Sequence, residues 1–447
     1  MTQSTHTTEI AVIGGGLAGC EAAYQLASMG HSVRLFEMRP VQSTPIHVTD
    51  QLAELVCSNS FRGDAASNAV GLLKREMEAL GSLVMRSARA AAVPAGGALA
   101  VDRWLFSRRV TEEISGHPAI RLERVEVAEL DHPAAIIATG PLTSPALHRH
   151  LEALLGEGAL AFFDAIAPVV AADSLDMDRL FRASRYDKGE GADYLNCAMD
   201  QPQYDRFVNE LLTAEKTELA AFEAEDIRYF EGCLPIEVMA ARGPETLRFG
   251  PLKPVGLVNP QTGRVPWAVL QLRQDDIAAE HWNLVGCQTK LKKSEQKRVF
   301  RQLPGLQRAR FVRFGMIHRN TFVNAPRHLD GQLRLKAYPQ VRLAGQITGV
   351  EGYVESAACG LLAARFLAAE LEGRPLPPPP SDTAMGGLMR HLSERPATGF
   401  QPSNITWGLI SCPEELRRIR KKRERREQQA AHAVRRITQW ADSIRDQ

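Results

Sequence analysis

The period of the hydrophobic positions changes several times along the chain, and each change predicts an element. Ile10 to Ile13 is an unbroken apolar, β-favouring run, the pattern of a strand buried on both faces. Glycines follow at 14, 15, 16 and 19, and Ala18, Ala22, Leu26 and Met29 then recur at helical spacing until Gly30 supplies a stop. Ser32–Phe36 returns to a strand pattern that ends at Glu37. Leu72–Met85 and Arg103–Ile114 predict helices, and Ala135–Ile137 predicts a buried strand running into a Thr139-Gly140 turn. From Gln340 a strand leads through a glycine-rich turn, Gly345 to Tyr353, into a long helix over Val354–Leu371.

Between these Rossmann-like parts the texture differs. From about Ala192 to Pro304 the chain is richer in Glu and Gln and is interrupted by Pro235, Pro251, Pro254 and Pro260, which predicts an inserted domain. The expected organisation is a nucleotide-binding domain over 1–191, an inserted α/β domain over 192–304, and a return to the first domain over 305–380. A polyproline connection at 377–380 then leads into a helical, basic extension over 381–447. The fold class is α/β, Rossmann-like.

The opening strand, turn, helix, stop, strand and acidic residue come in the order that a dinucleotide site requires. Gly14 permits the tight turn, Gly16 removes a side chain where backbone meets pyrophosphate, and Gly19 allows close helix packing. The segment Gly15-Gly16-Leu17-Ala18 aims a helix N-terminus at the phosphates. Glu37 stands where a carboxylate accepts hydrogen bonds from ribose hydroxyls and repels a 2′-phosphate. The fingerprint alone leaves NAD and FAD open.

Length and composition fit a globular chain of two or three domains: 447 residues, 44% hydrophobic. No stretch reaches the ~18 apolar residues of a membrane span, and the N-terminus lacks a secretory pattern, so a cytoplasmic location is expected. Seven cysteines at 20, 57, 197, 233, 287, 359 and 412 form no CxxC pair, so neither a disulfide framework nor a metal site is expected. Net charge is only +2, yet it is unevenly spread. Basic residues cluster from Lys290 to Arg319, and Arg417–Arg426 holds eight basic residues against one acidic. Such runs suit an RNA-facing surface or, more plainly, a solvated helix face.

Longer motifs narrow the choice. Gly14-Gly-Gly-Leu-Ala-Gly-Cys-Glu-Ala-Ala23, Ala53-Glu-Leu-Val-Cys-Ser-Asn-Ser60, Val93-Pro-Ala-Gly-Gly-Ala-Leu-Ala-Val-Asp-Arg103, Gly232-Cys-Leu-Pro-Ile-Glu237, Thr246-Leu-Arg-Phe-Gly-Pro-Leu-Lys-Pro-Val-Gly256 and Ala344-Gly-Gln-Ile-Thr-Gly-Val-Glu-Gly-Tyr-Val-Glu355 span most of the chain. Together they resemble the folate- and FAD-dependent tRNA (uracil-5-)-methyltransferases, the TrmFO family.

The resemblance implies FAD as cofactor, with Thr139, Gly140, Gly345 and Gln346 joining the glycine turn around it. It also implies methylenetetrahydrofolate and NAD(P)H as co-substrates, tRNA as substrate, and a T-loop uridine as target. Uracil C5 is a poor nucleophile, and a thiolate adding at C6 turns it into an enolate carbon. The family's two cysteines fall at Cys233, expected as the C6 nucleophile, and Cys57, expected to assist at C5 or to shield the nucleophile. The carbon is expected to pass from folate through flavin N5, with electrons derived from NAD(P)H completing the methyl group. Glu351 and Tyr353, in the turn before the last long helix, are expected to position substrate or folate. Arg273 and Lys290 are candidates for the folate glutamate or an RNA phosphate, and His318 stays unassigned. The other five cysteines read as small buried hydrophobes.

Four other functions compete. The same chemistry could act on ribosomal RNA. A wobble-uridine flavoprotein that works with a GTPase would have a longer C-terminal domain. A flavin disulfide reductase would need a CxxxxC pair, which this sequence lacks. A non-catalytic RNA-binding flavoprotein would leave the cysteines inert.

Overall fold

A computed structural model of the chain describes residues 9–44, 46–156, 160–189, 191–217, 234–374 and 376–443. The opening run forms a strand, Ile10–Ile13, at the centre of a six-stranded sheet. Val33–Phe36 and Ala135–Ile137 flank it in parallel register, Ile13 opposite Phe36 and Ile137. Ile120–Glu123 and Tyr338–Leu343 extend the parallel order outward, and Arg334–Leu335 adds an antiparallel edge. Because the central strand is covered on both faces, every one of its residues is buried. The helix Leu17–Ser28 packs on this sheet and against the long helix Tyr353–Leu371.

That helix pairing depends on a missing side chain. A Cβ at Gly360 would lie 2.1 Å from the carbonyl oxygen of Ala18, so only glycine lets the two helices meet there. The expected helix over Leu72–Met85 is in fact two, Ala69–Ala79 and Leu83–Ala90. Gly81, at φ +75°, breaks it, and Ser82 caps the second helix by accepting from the Met85 N–H at 3.1 Å. The apolar periodicity runs through the break, which is why the pattern concealed it.

The inserted unit has its own core, built on Leu195, Phe207, Leu270, Trp282 and Phe300. Its sheet is antiparallel throughout and wider than the 192–304 interval. Phe181–Arg182, Val169–Ala171 and Phe311–Arg313 complete it from outside those bounds, and Leu160–Ala165 pairs with Ile317–Phe322 where the chain leaves and re-enters the first domain. Short apolar strands such as Val169–Ala171 look like those of the first domain, so composition could not assign them.

The extension after the polyproline segment is part of the main core. Met385, Leu388 and Leu392 of the helix Ala384–Ser393 are buried in it, as are Ala433, Ile437 and Trp440 of the helix Lys422–Asp442. Glu76, fully buried, receives hydrogen bonds from the Ala384 and Met385 N–H groups at 2.7 and 2.8 Å. A carboxylate thus docks onto the start of a helix, where exposed N–H groups and the dipole favour it.

Candidate active site

A cleft opens at the C-terminal ends of the parallel strands. Gly14, Gly15, Gly16, Leu17, Ala18, Glu37, Thr139, Gly140, Gly345, Gln346 and Tyr353 all line it. The glycines differ in what they do. Gly14 sits at φ +107°, and a Cβ there would stand 2.7 Å from the Ala138 carbonyl oxygen. Gly19 does not line the cleft: its Cβ would be 1.8 Å from the Gly14 oxygen, so its role is to close the turn. At Gly16 a Cβ would meet nothing within 4 Å, so the bare Cα borders open space. The helix beginning beside it has no side-chain cap and no acidic residue in its first turn, leaving its first N–H groups for an anion. These features fit a dinucleotide.

Glu37 is buried and heavily bonded. Its two oxygens accept from the Gly15 N–H (3.1 Å), the Arg39 N–H (2.9 Å), and Arg39 Nε and Nη2 (2.9 and 3.1 Å). Burial pushes its pKa up, but Arg39's hydrogen bonds and charge outweigh that and hold the carboxyl below its usual range. Arg39 also reaches Glu54 and the Thr49 carbonyl. A ribose diol at Glu37 would therefore share or displace Arg39, a partner that the strand-end rule did not supply.

Cys57 and Tyr353 come together beside this cleft. The Cys57 N–H donates to the Tyr353 hydroxyl oxygen at 2.8 Å. Burial, and then the charge of Cys57, push the Tyr353 hydroxyl well up, so it stays a neutral phenol. Three guanidinium groups gather on the 55–59 segment. Arg103 donates to the Leu55 carbonyl at 2.8 Å and forms a two-pronged pair with Asp275 at 2.8 Å on each arm. Arg313 donates to the Val56 carbonyl, and Arg273 Nε donates to Asn59 Oδ1 at 2.9 Å. All three interact electrostatically with Cys57. Fixed cations of this kind favour a thiolate. Arg273, expected to meet folate or RNA phosphate, is buried behind the cysteine segment instead. Cys233 lies outside the described residues.

Glu351 does not line the cleft, but its Oε2 accepts from Gln346 Nε2, at 2.7 Å, and Gln346 does. Burial first, and then the neighbouring Asp164, raise the Glu351 carboxyl well above its ordinary range, toward the protonated form. Asn404, from the C-terminal extension, donates to the Glu351 carbonyl, and the Ile405 N–H donates to Glu355 at 2.9 Å. The extension thus bonds the segment that carries Glu351 and Glu355, without lining the cleft itself. Trp407 donates to the Ser67 carbonyl at 2.9 Å and carries Arg426 over its ring at 5.5 Å. Arg417, Arg418, Arg420, Lys421, Lys422 and Arg423 beyond it are exposed. The earlier basic stretch is partly neutralised, with Lys292 on Glu215, Arg298 on Glu210 and Glu295, and Arg310 on Asp173. Burial raises the thiols of Cys20, Cys197, Cys287 and Cys359. Among the described residues no group of three His, Cys, Asp or Glu could hold a metal, and no helix is long and apolar enough to cross a membrane.

Sequence reasoning missed Arg39, Arg103, Arg313 and Asn404 as parts of the site. Arg103 stood at the end of a quoted motif, but its helix-start position gave no sign that it turns toward Cys57.

A family model described as glucose inhibited division protein A matches residues 9–375. A protein of Rhizorhabdus wittichii is 56% identical over 438 residues, covering 97% of this chain and 98% of its own. One of Paramagnetospirillum magneticum is 54% identical over 455 residues and the full length of both chains. Both are named methylenetetrahydrofolate–tRNA-(uracil-5-)-methyltransferase TrmFO. The chain belongs to the TrmFO family. TrmFO proteins depend on FAD and folate. Two crystal forms of Aquifex aeolicus GidA superpose on this TrmFO fold with TM-scores of 0.70 and 0.68, at 16% and 15% identity. They match 98% and 99% of this chain but 76% and 75% of theirs, so the GidA chains carry additional length.

Proposed function

We propose that this chain transfers a one-carbon unit from methylenetetrahydrofolate to C5 of a uridine in tRNA, the T-loop uridine, using FAD and electrons from NAD(P)H. The observation that carries it is Cys57 held among Arg103, Arg273 and Arg313 and tied to Tyr353, which lines the cleft, in a chain of this family. Gly14–Gly16 and the helix start after them would hold the pyrophosphate, Glu37 the ribose, and Thr139, Gly140, Gly345 and Gln346 the remaining edge of the flavin. Bound FAD would supply two electrons and, at N5, a carrier for the carbon.

The residues of this chain do the rest. Cys233 adds to uracil C6, which makes C5 an enolate carbon. Cys57, beside the Arg103, Arg273 and Arg313 guanidinium groups, takes the C5 proton once the new carbon bond has formed. Tyr353 fixes the Cys57 backbone, and Glu351 fixes Gln346 at the cleft wall. The exposed cations of Arg417–Arg423 lie against the RNA backbone and neutralise phosphates.

A tRNA transcript carrying 5-fluorouridine tests the cysteine roles, because fluorine cannot leave C5 as a proton does. In the presence of the cofactors, a covalent protein–RNA adduct is expected from the wild type and from Cys57→Ala, but not from Cys233→Ala. An adduct from Cys233→Ala overturns the nucleophile assignment. Absence of an adduct from Cys57→Ala alone exchanges the two roles.

A further inference from the structure

Within the inserted unit, Tyr186 and Asp187 both adopt left-handed backbone conformations, with φ of +58° and +49°. Side-chain-bearing residues enter that region at a cost, and two in succession persist only where surrounding contacts hold them. Those contacts are present. The Tyr186 N–H donates to the Gly256 carbonyl at 3.2 Å, and Arg185 Nη1 donates to the Val255 carbonyl at 2.9 Å. A Cβ at Gly256 would lie 2.7 Å from Tyr186 Cε1, so the ring rests flush on bare backbone.

The result is a phenol ring that is pinned yet 57% exposed. Lys188 stands 5.9 Å from the ring centroid, and Lys188 and Lys253 are exposed. A fixed, outward aromatic face beside cations is what an unstacked nucleobase and its phosphate require. The position relative to Cys57 is also fixed. Arg185 Nε donates to Gln271 Oε1 at 2.9 Å, and Gln271 shares a strand face with Arg273, which bonds Asn59, two residues beyond Cys57.

We propose that Tyr186 is a stacking platform for a nucleobase of the RNA flanking the target uridine, an assignment that rests on the tRNA-modifying function above. An enzyme that works on a base must take it out of its stack, and its neighbours lose stacking partners when it goes. The pinned ring replaces one of them.

The test measures affinity for an unmodified tRNA transcript, and KM for both tRNA and methylenetetrahydrofolate, in Tyr186→Ala and Tyr186→Phe holoenzymes. Tyr186→Ala should weaken tRNA binding roughly tenfold or more, the loss expected for one base–aromatic stack. Tyr186→Phe should stay within about twofold, because stacking needs the ring and not the hydroxyl. FAD content and the folate KM should be unchanged in both. A Tyr186→Trp variant adds a direct readout: its extra emission should be quenched by the transcript and not by folate. Wild-type tRNA affinity in Tyr186→Ala overturns the platform, as does a rise confined to the folate KM, which would assign the ring to folate. Failure of the wild type to bind tRNA at all overturns the function together with the platform.

Discussion

The Cys57 N–H and the Tyr353 hydroxyl oxygen meet at 2.8 Å although the residues lie 296 positions apart. One belongs to an irregular loop after the first βαβ unit, the other to the first turn of the long helix that closes the cofactor cleft. The bond fixes a sulfur-bearing segment to the cleft wall. Tyr353→Phe removes the acceptor and leaves a backbone donor unmatched, a loss of about 1–3 kcal/mol. The expected outcome is a kcat about tenfold or more below wild type with FAD still bound. Steady-state kinetics alongside flavin absorbance check it.

Gly16 and Gly19 should respond differently to the same added methyl group. Gly16→Ala places Cβ in open space, so the protein should fold with wild-type thermal stability and bind FAD weakly. Gly19→Ala drives Cβ into the Gly14 oxygen and should lower the melting temperature as well as flavin content. Equal stability for both variants would contradict the division of roles.

Glu37→Gln should weaken FAD binding about tenfold to a hundredfold, the range for a hydrogen bond to a charged group. The pH dependence follows from the lowered pKa of Glu37. A carboxyl depressed in the folded state contributes stability that is fully present above the unfolded value of about 4.3 and is lost as pH falls through its lower folded value. Apoprotein melting should therefore lose the Glu37 contribution only on acidification below about pH 4, and Glu37→Gln should remove that part of the acid dependence.

The exposed C-terminal cations should act through salt. Replacing Arg420, Lys421, Lys422 and Arg423 with Gln should weaken tRNA binding and flatten the plot of log affinity against log salt by up to about three units of slope. FAD content should not change. An unchanged slope would return these residues to the role of a solvated helix face.

Much of this was legible in the sequence, for local reasons. The glycine turn, the strand ends at Glu37 and Thr139, and the Gly345–Tyr353 turn are each encoded within a few residues, and all reach one cleft. What stayed hidden depends on tertiary approach. Arg103 and Arg313 are 210 positions apart and converge only because a strand of the insertion and a helix of the first domain flank the same loop. The break at Gly81 hid inside continuous helical periodicity. The extension after Pro380 read as a charged tail, whereas Asn404 and Ile405 bond the turn that carries Glu351 and Glu355. Those contacts are backbone-mediated and leave little mark on composition.

The central claim is carbon transfer to a tRNA uridine. The most direct measurement incubates the purified flavoprotein with unmodified tRNA transcript, labelled methylenetetrahydrofolate and NADPH, then digests the RNA and identifies the labelled nucleoside by mass spectrometry. The predicted result is label in 5-methyluridine from the T-loop with the wild type and none with Cys233→Ala. Unlabelled tRNA, or label found only when ribosomal RNA is the substrate, would contradict it.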